Sequence, residues 1–321
     1  MIELSFKHMD WTLIRQALAL GLRAHRRVTI KGGSDYICGN STAGNLFREI
    51  ESFCTEHEAG VFGQGGRDII FEPGRIKAGT LNIQTGNLSS VIDLLLFIMP
   101  ALFSRDFRCV INLQGVTHSS ISISPSLMKE TFLPLLEQCG LYGSLLVRRF
   151  GFYGTGGGGI EARIYPAEPS PSSLFDGSVE PCINGARIFS SRTGMEIASQ
   201  QKALLAQGLS IPDDRVSIIE ILDSDGPGNA VQVSIGYGER VIVFDRITDF
   251  YNDAGDLIFE KEGLPAEVEG LVRETTAFLS DMVMPSKLIR ELVPYCRMTG
   301  SLFGVSCGSY EDTDYICSRL L

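Results

Sequence analysis

The sequence predicts an α+β protein built from a repeated helix, strand, helix, hairpin unit, with a small α/β domain inserted late in the chain. Three observations predict it. The same order of apolar-patterned segments occurs twice and begins a third time. The composition shifts to Pro and Ser at AEPSPSSLFDGS, and a separate strand, helix, strand, hairpin pattern follows it. At 321 residues the chain exceeds the usual size of one compact core, in keeping with a body plus an insertion.

In the first unit, residues 12–25 have helical periodicity, Val28–Ile30 is a β-branched run, a second helix lies near Gly44–His57, and VFGQGGRDIIFEPG reads as a hairpin ending at Gly74. The second unit repeats this with a helix over Ser89–Phe103, a strand over Cys109–Gln114, a helix over Ser124–Cys139 and the hairpin SLLVRRFGFYGTGGGGIEARIYP. A third unit has helix Pro285–Arg297, strand Phe303–Ser306 and helix Asp312–Leu320 but no closing strands, so it reads as truncated, with a sheet edge that something must cover. The inserted segment reads as strand, helix Gly194–Gln207, strand Val216–Leu222, a turn at 226–228, and paired strands Val231–Ile235 and Arg240–Phe244. Pro265–Phe278 reads as a helix returning to the body. The expected limits are 1–174 and 267–321 for the repeat body and 175–266 for the insertion.

Composition narrows the function. The longest apolar run, Val91–Phe103, is broken by Asp93 and Pro100 and is shorter than the roughly 20 residues a membrane span requires. Glu3, Lys7, Asp10 and Arg15 interrupt any secretory core in the first twenty residues. A cytoplasmic protein without a membrane partner is expected. The 8 cysteines form no Cys-x-x-Cys pair and read as buried free thiols. A net charge of −10 disfavours a broad nucleic-acid surface, so any basic patch must be local.

Several motifs exclude more than they assign. Gly154-Thr-Gly156-Gly-Gly-Gly159 fits Gly-x-Gly-x-x-Gly, but the strand-like IEARIY follows where a dinucleotide site needs a helix N-terminus. The loop is either a flexible turn without a ligand or an anion-binding nest of backbone N–H groups. Gly304-Val-Ser306-Cys-Gly308 fits a nucleophile elbow, yet His8, His25, His57 and His118 all precede it, which is the wrong order for a hydrolase. These scattered histidines form no metal site, and no Gly-Lys-Ser or Gly-Lys-Thr permits a P-loop. Asp225-Gly-Pro-Gly-Asn229 reads as a turn. Arg15, inside an apolar helix, either snorkels to water or points a fixed charge at a phosphate.

The hairpin FGFYGTGGGGI at 150–160 resembles the signature of the RNA 3′-terminal phosphate cyclases: a basic residue, glycine, two residues, proline, one residue and three glycines. Phe150 stands at the basic position, with Arg149 beside it, and Gly154 stands at the proline. Arg15, FEPG at 71–74, MPAL at 99–102, GVT at 115–117, LPLL at 133–136 and DGPGN at 225–229 match in the same order. The resemblance implies three repeated units, each a four-stranded sheet with two helices on one face, plus the inserted small α/β domain. It implies ATP and Mg²⁺ as cofactors where activity is retained, and Arg15, Arg149, Gly156, Gly157 and Gly158 as ligand contacts.

The resemblance also exposes a loss. The family's nucleophilic histidine follows a Ser-Cys pair near the C-terminus, and here Gly308 and Ser309 follow Ser306-Cys307. The family's glutamate and glycine-rich segment before the first helix becomes His8-Met9-Asp10-Trp11, its Arg- and Lys-rich stretch becomes KGGSDYICGNSTAGN, and its adenosine-facing acid and amide become Arg290 and Glu291. No catalytic residue is identified; His8 and His118 are the substitutes to test. Without a nucleophile the covalent step has no carrier atom. The expectation is a cyclase-like pseudoenzyme of RNA processing that binds RNA ends, a nucleotide or a protein partner, with a homodimer as a further arrangement. The alternatives are an active transferase on the same scaffold and a cyclase using a different nucleophile.

Overall fold

The computed structural model describes residues 2–77, 79–175, 179–258, 264–303 and 310–321. The first unit runs β1 (Ile2–Leu4), α1 (Trp11–Ala24), β2 (Val28–Ile30), the short α2 (Gly33–Gly39), α3 (Ser41–Glu56), β3 (Gly60–Gly65) and β4 (Asp68–Pro73). The second runs β5 (Thr80–Gln84), α4 (Val91–Leu102), β6 (Cys109–Gly115), a helical path, β7 (Gly143–Arg149) and β8 (Gly158–Ile164). That path is α5 (Pro125–Leu127), a π-helical turn Met128–Phe132 and α6 (Leu133–Gln138). The sheets β1-β2-β4-β3 and β5-β6-β8-β7 have one topology: first strand parallel to the second, then an antiparallel hairpin. The α+β fold with repeated sheet units is therefore present.

The inserted segment has a different order. It comprises β9 (Cys182–Ser191), α7 (Met195–Leu209), β10 (Val216–Glu220), β11 (Gly228–Tyr237), β12 (Arg240–Thr248) and α8 (Leu264–Asp281). Its sheet reads β10-β9-β11-β12, so its first strand is internal and its second lies at the edge, unlike either repeat. Helix α8, which the sequence reads as returning to the body, packs on α7 and β12 instead. The third unit contributes α9 (Ser286–Thr299) and α10 (Glu311–Leu320). Among the described residues its sheet is a short parallel pairing, in which Leu174 and Phe175 donate N–H bonds to the carbonyls of Leu302 and Phe303 at 2.9 and 3.0 Å. Ser172–Phe175 thus occupies the first-strand place of this unit, within a stretch the sequence reads as linker. Residues Gly304–Ser306 of the expected strand, and Cys307, Gly308 and Ser309 beyond it, lie outside the described residues.

Burial explains why α1 and α4 sit at the centre. Leu13 through Leu22 are all buried, and in α4 only Ala101 is not, so both helices are enclosed on every side. Pro100 is tolerated near the end of α4, where the helix is about to stop. Asp10 and Ser90 cap the two helices by accepting from the N–H groups of Leu13 and Ile92.

Candidate functional site

Two polar constellations meet at the ends of these helices. In the first, the N-terminal turns of α1, α4 and α9 converge on Arg15. A central helix offers no path to water, so its guanidinium must be neutralised by the protein. Arg15 Nη2 donates to Glu291 Oε1 at 2.5 Å, and Nε lies 2.9 Å from Asp93 Oδ1 in an ion-pair contact outside hydrogen-bond geometry. Asp93 also accepts from Trp11 Nε1 at 3.3 Å. Burial raises the Asp93 carboxyl to about 6; Arg15 opposes the rise and Glu291 adds to it. Burial pulls the Arg15 guanidinium down, but Glu291 and Asp93 together more than restore it.

The same knot ties the third unit to the first. Arg290 donates to Asp10 Oδ2 at 2.5 Å, Gln16 Nε2 donates to the Arg290 carbonyl at 2.8 Å, and Thr313 on α10 donates to Gln16 Oε1 at 3.2 Å. Arg15 neither snorkels to water nor faces an open pocket, since only 2% of it is exposed. The signal for its partner was in the sequence: Asp93 is the lone acid in the apolar run of α4, as Arg15 is the lone cation in the apolar stretch of α1.

The second constellation is the glycine hairpin. Arg149, Gly157 and Gly158 line a cleft of about 370 Å³ with Gln84, Asn87 and Gln114 from the ends of β5 and β6. Arg149 donates to the Gly157 carbonyl at 2.9 Å, to the Asp223 carbonyl at 2.6 Å and to Asp225 Oδ1 at 2.5 Å. Gly156 sits against Asn87, where a Cβ would fall 2.5 Å from Oδ1, and a Cβ on Gly157 would fall 1.9 Å from Asp225 Oδ2. Both glycines have positive φ, 65° and 71°. The DGPGN segment closes over the hairpin from the insertion, since a Cβ on Gly228 would meet the Phe152 ring at 2.0 Å. The loop is thus clamped between two elements, and a carboxylate, not an open anion seat, stands against Gly157.

The two histidines separate clearly. His8 is exposed in the loop before α1. His118 is buried, bonds Thr117 Oγ1 through Nδ1 at 2.8 Å and stacks on Phe150 at 4.4 Å. Burial lowers its pKa to about 3. Phe150 is absorbed into an aromatic cluster with Phe152 and Phe189, while Arg149 turns to the cleft. Among the described residues no group of histidine, cysteine and carboxylate ligands could hold a metal ion, and no helix is long and apolar enough to cross a membrane.

Comparison with known proteins gives the family. A family model for RNA 3′-terminal phosphate cyclase matches residues 43–307, and the chain belongs to that family. It is 26% identical over 238 residues to an RNA 3′-terminal phosphate cyclase of Koribacter versatilis, covering 72% of this chain and 66% of the relative. A cyclase of Pseudomonas fluorescens is 24% identical over 197 residues (58% and 57%), and one of Methanosarcina mazei is 25% identical over 254 residues (74% and 69%). The chain thus spans less than two thirds of the length of the first two of these relatives.

Proposed function

We propose that this protein is a cyclase-family pseudoenzyme that acts by binding, with an RNA 3′ end as its first candidate ligand and a nucleotide or protein partner as the others. The observation that carries this reading is the internal pairing of charged groups. Of the positions that the family resemblance implies as nucleotide contacts, Arg15 and Glu291 are buried and matched to each other and to Asp93, and the half-exposed Arg290 is paired with Asp10. Nucleotidyl transfer also needs a nucleophile and cationic groups around the leaving pyrophosphate. The residues present fit that chemistry poorly: the sequence carries no histidine after His118, and Arg15 is neutralised. His118, ringed by phenylalanines, is poorly placed to take over.

The test is to incubate the protein with α-labelled ATP, Mg²⁺ and an oligoribonucleotide ending in a 3′-phosphate. No acid-labile adenylate on the chain and no cyclic phosphate on the RNA are expected, together with saturable binding of the oligonucleotide. An acid-labile adduct would overturn the reading, and loss of that adduct in His8→Ala or His118→Ala would name the substitute nucleophile.

A further inference from the structure

A second cavity lies where the insertion meets the body. Its volume is about 250 Å³, and its polar lining is Asp245 and Arg246 of β12, Glu267 and Glu274 of α8, Ser120, and Ser286 and Lys287 at the start of α9. Two features in it make opposite demands. The first is cationic. Helix α9 begins with no side-chain cap on its first turn, so its positive end is open to an acceptor. Lys287 Nζ beside it donates to the Ser120 carbonyl at 2.6 Å, and its charge faces the carboxylates of Asp245 and Asp249. Arg246, in contrast, is held by Glu267 and Glu274.

The second feature is an acceptor. Asp245 is only 6% exposed; the hydroxyl and N–H of Ser124 face its carboxylate, but Oδ2 closes no hydrogen bond of normal geometry. A buried carboxylate oxygen without a closed hydrogen bond is costly, and in a native protein it points to something that completes it. A bare anion would suit Lys287 and the helix end but be repelled by Asp245. A ligand with an anion at one end and a hydroxyl at the other suits both. The volume falls below the roughly 300–1,000 Å³ of typical small-molecule sites, so the occupant must be small.

We propose that this cavity binds a small phosphorylated polyol of pentose phosphate size, its phosphate on Lys287 and the first turn of α9 and a hydroxyl donating to Asp245 Oδ2. Phosphate suits a helix N-terminus joined by a lysine. The site stands on its own residues and does not depend on the RNA-binding reading.

Titration calorimetry of the full chain with ribose 5-phosphate tests it. Saturable one-to-one binding is expected, weakened about tenfold or more in Lys287→Gln, the loss of a charge-assisted hydrogen bond. Asp245→Asn replaces an acceptor by a donor and should also weaken ribose 5-phosphate. The same substitution should leave inorganic phosphate unweakened, because it removes a repelling charge. No binding of ribose 5-phosphate, binding indifferent to Lys287→Gln, or a preference for AMP over ribose 5-phosphate would each overturn the proposal. Lys287 is exposed and its exchange leaves the core intact, so that arm decides alone if Asp245→Asn melts early.

Discussion

Arg15 and Arg149 each hold a carboxylate from a distant part of the chain, yet their side chains are 2% and 40% exposed. Arg15 joins α1 to α4 and α9 in the centre of the repeat body. Arg149 joins the glycine hairpin to the insertion at the surface. Around Arg15 every charge is removed from water, so the group is stable only as a set. Around Arg149 water competes with each contact, so the bonds orient a loop and contribute little energy. The difference teaches that the centre is held as structural glue, whereas the cleft keeps a guanidinium that a stronger acceptor could recruit.

The largest expected effect follows from breaking the central set. Arg15→Met leaves Asp93 and Glu291 buried without a counter-ion, which should cost about 3–5 kcal/mol, read from urea unfolding. The triple replacement Arg15→Met, Asp93→Leu, Glu291→Leu removes all three charges together and should recover most of that loss, as apolar substitutes for buried ion sets do. If the single variant loses no more than a surface pair would, the contrast between the two regions fails.

A second prediction sharpens the contrast through pH. Asp93 titrates at about 6 in the fold against an ordinary 3.8, so its contribution is favourable below pH 3.8 and is lost as pH rises through about 6. His118 titrates at about 3 against 6.5, so its contribution is present above pH 6.5 and lost as pH falls through about 3. The two slopes oppose each other and nearly cancel between about pH 4 and 6, where each group's folded and unfolded states differ by close to one proton, so wild-type stability should change little there. In His118→Gln stability should fall as pH rises through this range, and in Asp93→Asn it should rise. Unfolding midpoints measured across this range check both, and an unchanged slope in His118→Gln would show that the ring is more hydrated than its place among Phe150 and Phe152 implies.

Much of this fold was legible because the signals are periodic. The span Val28–Ile30 reproduces β2 residue for residue, and both hairpins and the elements of the insertion fall where patterning puts them. Two first strands were not legible, since Ile2–Leu4 and Ser172–Phe175 are too short to show alternation; Thr80–Gln84 alternates between Gly79 and Gly86-Asn87, so its signal was present but weak at five residues. The site was legible only in part. Arg149, Gly157 and Gly158 converge as local sequence suggests, since the hairpin brings them together. Arg15 stands out as an isolated charge and Asp93, the lone acid of α4, is its matching signal, but Glu291, 276 residues away, is ordinary in its own helix and carries none. Asp245 and Lys287 were not legible because each is ordinary in its own strand or helix and acquires meaning only where the insertion meets the body.

The smallest expected effect belongs to the exposed partner of the comparison. Arg149→Ala removes the bonds to Asp225 and to the carbonyls of Asp223 and Gly157, all on half-exposed groups. Its urea midpoint should stay close to that of the wild type, far from the shift in Arg15→Met. The local consequence should be clearer, because these bonds hold the hairpin to the insertion. Amide exchange should quicken at Gly154–Gly159 and Asp223–Gly228 while α1 and α4 stay protected. A midpoint shift rivalling that of Arg15→Met would mean that the insertion and the repeat body unfold as one unit through this clamp, and that exposure alone does not separate the two arginines.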